Sequence, residues 1–95
     1  MANRVTQSIG TSAEDVTLAD AMGNRLVVKN LDGAGYVSFV VGDTATLGGD
    51  GCAALAAAAG DFIEQALGRN KASNDVVISV IASSETLVYF ELTEV

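Results

Sequence analysis

Residues 75–93 read DVVISVIASSETLVYFELT, and this stretch decides the fold class. In its second half Val88, Phe90 and Leu92 alternate with Tyr89, Glu91 and Thr93, the period of two that a strand adopts when one face is buried. The first half is apolar on both sides, Val76, Ile78 and Val80 against Val77 and Ile81, as expected of a central strand. With only Ser83-Ser84-Glu85 between them, the two halves are expected to pair as a β-hairpin. Phe39, Val80 and Phe90 are expected to be buried between facing sheets.

Upstream, RLVVKN at 25–30 and YVSFVV at 36–41 have the same β-branched and aromatic character, and Val37, Phe39 and Val41 share one face. VTLA at 16–19 and RVTQSI at 4–9 are weaker strand candidates. Turn chemistry separates these pieces at Gly10–Asp15, Asp20–Asn24, Asn30–Gly35, Gly42–Asp43, Gly48–Gly51, Gly68–Asp75 and Ser83–Glu85, and the chain has no proline.

The stretch CAALAAAAGDFIEQALG, 52–68, is the ambiguous part. It has the highest helix propensity in the chain, with Leu55, Ala59, Phe62, Ile63 and Ala66 at helical spacing. Gly60 interrupts it at a cost of ~1 kcal/mol in a helix interior. The alternative is an alanine-rich loop to Gly60 followed by a strand from Asp61 to Leu67. Propensity alone favours the helix.

Ninety-five residues with a formal charge of −7 set the outer limits. The size fits one domain with a thin core, and few of its side chains are large: Phe39, Phe62, Phe90, Tyr36 and Tyr89 are all the aromatics. Arg4, Arg25, Lys29, Arg69 and Lys71 are the only basic residues, too few for the cationic stripe that a nucleic-acid or anionic-membrane partner requires. Cys52 is the single cysteine, so no internal disulfide forms, and it is expected as a small buried thiol. MANRVTQSIG lacks the apolar run of a signal peptide, and the longest apolar run, 52–59, is too short to span a bilayer, so synthesis in the cytoplasm is expected.

Catalytic chemistry finds little footing. Without histidine there is no Ser-His-Asp or Cys-His system and no imidazole-bound zinc. Gly48-Gly49-Asp50-Gly51 lacks the Lys-Ser/Thr continuation of a phosphate loop and the alternating oxygens of a calcium loop, so it reads as a turn. The carboxylates are scattered rather than paired. The expectation is a binding or assembly protein: no enzyme, no catalytic residues, no metal and no cofactor.

Residues 1–13 are polar around Val5 and Ile9 and read as an N-terminal arm or an edge strand beside a single β domain over 14–95. As an arm, the segment would dock on a neighbour by strand addition. Val5, Gln7 and Ile9 keep strand spacing, and with Tyr36 they are the candidate interface residues. On that reading, deletion of 2–13 leaves a folded remainder that no longer assembles.

The order of these features resembles small virion proteins of tailed bacteriophages, of the capsid decoration or cement type. The resemblance is carried by the polar N-terminus, RLVVKNLDGAGYVSFVVGDTAT at 25–46, the small-residue stretch ending in Ala59-Gly60, and DVVISVIASSETLVYFELTEV at 75–95. In the first of these a strand ending in Asn30-Leu31 leads through a glycine-bearing loop to a partner strand. Ala58 stands where members often carry proline.

The resemblance implies a structural protein that binds the exterior of a capsid in many copies and reinforces the shell. It implies the major capsid protein as partner, a homo-oligomer with the trimer as first choice, and the virion as location. It also favours strand over helix at 61–67, with Phe62, Glu64 and Ala66 on one side and Ile63, Gln65 and Leu67 on the other. The expected fold is therefore mainly β, a small antiparallel β-sandwich or barrel-like domain of six to eight strands, with a short helix within 52–67 as the open alternative. Another virion part (neck, tail or fibre base) and a carbohydrate- or peptide-binding module are the rival readings.

Overall fold

The computed structural model describes residues 4–18, 25–66 and 76–93, so the expected turns at 20–24 and 68–75 lie outside the described residues. Among the described residues eight strands form: β1 (Arg4–Ile9), β2 (Glu14–Leu18), β3 (Arg25–Asn30), β4 (Val37–Val41), β5 (Ala53–Leu55), β6 (Phe62–Ala66), β7 (Val76–Ala82) and β8 (Thr86–Thr93). They make two antiparallel four-stranded sheets, sheet A in the order β1-β8-β3-β6 and sheet B in the order β2-β7-β4-β5. The mainly β sandwich expected from the period-two pattern is what the chain adopts.

Four nested pairs generate this order. β1 pairs with β8, β2 with β7, β3 with β6 and β4 with β5, and successive pairs alternate between the sheets. The β3–β8 and β4–β7 ladders then close each sheet. A long folded hairpin rolled up in this way is a jelly roll.

Strand phases follow the alternation. Val88, Phe90 and Leu92 of β8 face Phe39 of β4 and Ile78 and Val80 of β7 across the sandwich, all of them buried with Leu26, Val28, Val37, Leu18 and Leu55 in one core. β7 and β8 occupy central positions, which is why both carry so much apolar surface.

Three expectations are corrected. β7 and β8 do not pair, because Ser83–Glu85 carries the chain from one sheet to the other. The bonds of that link go to the β3–β4 loop instead: Ser83 N–H donates to Tyr36 O at 2.9 Å, Tyr36 N–H to Ser83 Oγ at 2.8 Å, and Ser84 Oγ to Ala34 O at 2.9 Å. Likewise β4 is not the sheet partner of β3, since 31–36 also crosses between sheets.

No helix forms at 52–66. Residues 53–55 and 62–66 are strands, and 56–61 is a tight loop in which Gly60 has a φ of 90°, Ala56 N–H donates to Asp61 Oδ2 at 2.7 Å and Ala58 N–H to Ala56 O at 2.8 Å. Tertiary pairing of β6 with β3 overrides alanine propensity here.

One residue organises this end of the sandwich. Asn30 is fully buried and uses every polar atom of its side chain: Nδ2 donates to Gly35 O and Ala56 O, each at 3.0 Å, and Oδ1 accepts from Gly33 N–H at 2.8 Å. Its main chain meets the same loop, accepting from Gly60 N–H and donating to Asp61 O. Gly33 has a φ of 70° and packs so closely on 58–59 that a Cβ would lie 2.5 Å from Ala59 N, so only glycine fits.

Of the two readings of the N-terminal segment, residues 4–9 take that of the edge strand. β1 pairs with β8 along its whole length, and Ile9 is fully buried in the chain's own core. Deleting 2–13 is therefore expected to unfold the domain rather than merely to impair assembly, because losing a buried isoleucine alone costs ~2–5 kcal/mol. Thermal melting by circular dichroism checks this. A truncated chain that melted with the parent would contradict the placement of Ile9.

Candidate docking face

The two outer faces of the sandwich differ. Across sheet B, the β4–β5 connection, residues 42–52, folds back over the strands. Ser38 and Ser79 point outward yet are buried beneath it, accepting from Gly48 N–H at 3.0 Å and Ala45 N–H at 2.9 Å, and Ala45 is buried with them. Gly48 and Gly51, with φ of 68° and 81°, permit the reversals. The Gly-rich cluster thus serves as a cover for the sheet.

A shallow cleft of about 260 Å³ lies beside this cover, lined by Asp15, Gly42, Asp43, Thr44, Val77 and Ser79. Among the described residues no three His, Cys, Asp or Glu side chains gather as a metal-holding group. Cys52 is half-buried and lies outside the apolar core, which corrects its reading as a core thiol.

Sheet A has no such cover among the described residues. Its register aligns the outward side chains in rows across the strands. One row runs Thr6, Tyr89, Lys29, Phe62, and the next Arg4, Glu91, Val27, Glu64. Thr93, Arg25 and Ala66 make a third, and Ser8 and Leu87 sit beyond the first. Phe62 is 55% exposed and Leu87 38%, with Val27 and Tyr89 half-buried beside them.

All three basic residues in the described part of the chain, Arg4, Arg25 and Lys29, stand on this face. They share it with Glu64 and Glu91, and Glu85 reaches its rim by accepting from Ser8 Oγ at 2.9 Å, whereas Glu14, Asp15, Asp32, Asp43, Asp50 and Asp61 lie elsewhere. Arg25 Nη1 is 3.8 Å from Glu64 Oε2, a half-exposed pair that leaves the carboxylate open to other partners. An uncovered sheet face on which Phe62, Leu87 and Tyr89 stand among charges is the candidate docking face.

The interface residues expected from the sequence scatter. Val5 packs partly against the core, Ile9 is inside it, and Gln7 Nε2 donates to Glu14 Oε1, tying β1 to β2 across the edge of the sandwich. Ile9 is thus unavailable to a partner. Tyr36 is exposed at 61% but lies in the β3–β4 loop just before sheet B strand β4, while Tyr89 faces out from the middle of sheet A, so the two tyrosines do not share a face as a platform for a saccharide. The outward row of Phe62, Lys29, Tyr89 and Thr6 was missed. Its phase was readable strand by strand, but the register that joins four separated segments was not.

No family model, curated protein or solved structure matches the chain.

Proposed function

We propose that the chain is a structural virion protein of the decoration type, which binds the exterior of a tailed-phage capsid in many copies, as a homo-oligomer, and stabilises the shell. It acts by assembly rather than catalysis, with the major capsid protein as partner and the capsid surface as its place of action after synthesis in the host cytoplasm. The observation that supports its assembly best is the uncovered outer face of sheet A, where Phe62 and Leu87 stand exposed among all the described cations. The opposite side is capped by its own loop and carries Asp15, Asp43 and Asp50, which limits unspecific clumping at high copy number.

Jelly rolls serve in viral shells but also in lectins and cupins, so the fold is compatible with the reading without selecting it. What favours the shell-binding reading among these is the resemblance of residues 25–46 and 75–95 to decoration proteins. Purified chain mixed with heads of the phage that encodes it should co-sediment at many copies per head and raise the temperature at which the heads rupture. Free chain left in the supernatant at saturating concentration, with unchanged head stability, would end the proposal.

A further inference from the structure

We infer that the outer face of sheet A is a self-complementary surface that pairs two copies of this chain about a twofold axis parallel to the strands. The inference rests on the reading of that face as the assembly surface and goes beyond the shell-binding role. It replaces the trimer implied by resemblance with an isologous dimer as the unit in solution.

The argument is one of register. With columns in the order β1-β8-β3-β6, a twofold axis along the strands and midway between β8 and β3 keeps each row and exchanges its columns. Arg4 then faces Glu64 of the second copy and Glu64 faces Arg4, so two ion pairs form at the flanks. Lys29 comes over the ring of Tyr89 twice, a cation on an aromatic face at the centre. Phe62 covers Thr6, and Val27 covers the stem of Glu91, whose carboxylate keeps Arg4 as its cross-strand neighbour.

The other in-plane twofold, across the strands, exchanges rows instead. It sets Phe62 on Glu64, Lys29 on Val27 and Tyr89 on Glu91, and pairs no opposite charges. Charge complementarity therefore selects the axis along the strands. Aligned sheets cross at about 30°, which displaces the flanking pairs by a few ångströms, within the reach of arginine and glutamate side chains. Size permits it as well: the molecule spans 34 × 23 × 18 Å, and a stable interface takes ~800 Å² from each partner, on the order of one broad side.

Charge swapping tests the pairing in free solution, without shells. Sedimentation equilibrium over roughly 10 µM to 1 mM should find a dimer for the full chain, loosened by salt. Arg4→Glu and Glu64→Arg are each expected to weaken it at least about tenfold, since like charges then meet twice. The double variant Arg4→Glu/Glu64→Arg should recover most of the loss. Both substitutions are at exposed positions, and unchanged circular dichroism spectra verify the folding of the three variants.

A monomer at every concentration, a trimer, or a double variant no tighter than the singles would overturn the dimer. Co-sedimentation with heads is measured separately. A monomer that still decorates heads refutes the dimer alone, and a dimer that ignores heads refutes the shell-binding role alone.

Discussion

Phe90→Ala is expected to lose ~3–5 kcal/mol of stability, enough to unfold a domain of this size at ordinary temperature. Phe90 is fully buried in central strand β8, between Val5 of β1 and Val28 of β3, with the side chains of β4 and β7 above it. A cavity there cannot collapse easily, because the strands on both sides are held by ladders. Glu91→Ala, one residue along and on the outer face, should change stability by no more than about 0.5 kcal/mol. Urea melts of the two variants check the pair. Equal midpoints would mean that the phase of β8 is wrong.

Asn30→Ala should come next in cost, on the order of 3 kcal/mol. The substitution deletes three hydrogen bonds at once and leaves Gly35 O, Ala56 O and Gly33 N–H without that partner where the 31–35 and 56–60 loops meet. Asn30→Asp should also destabilise, because a carboxylate cannot donate to the two carbonyls that Nδ2 serves. Chemical denaturation measures both, and hydrogen exchange should localise the loosening to those loops. A variant with parental stability would remove Asn30 from its organising place.

Much of the strand content was legible because it depends on neighbours in the chain. Val37 and Phe39, or Val88, Phe90 and Leu92, alternate with polar or outward residues, and each such phase was met in the fold. Pairing was less legible. Three residues, Ser83–Glu85, suit a hairpin and a sheet-to-sheet crossing equally, and the choice is made by distant partners, Tyr36 and Ala34 for the link and β1 and β3 for β8.

The alanine run failed for the same kind of reason. Local propensity favours a helix, but Ala56 O is held by Asn30 Nδ2, a contact 26 residues away, and β6 is held by β3. As for the docking face, its members could each be assigned outward from alternation, while their assembly into rows needed a register that no local pattern encodes. Ile9 shows the converse error: its spacing as a strand residue was right, and the partner it fills proved to be the chain's own core.

Cryo-electron microscopy of heads incubated with the chain tests the assembly role most directly. The account predicts added density at regular positions over the whole exterior of the shell, each feature built from units of 34 × 23 × 18 Å. Density confined to a single vertex, neck or tail, or a bare shell at saturating chain, would contradict it.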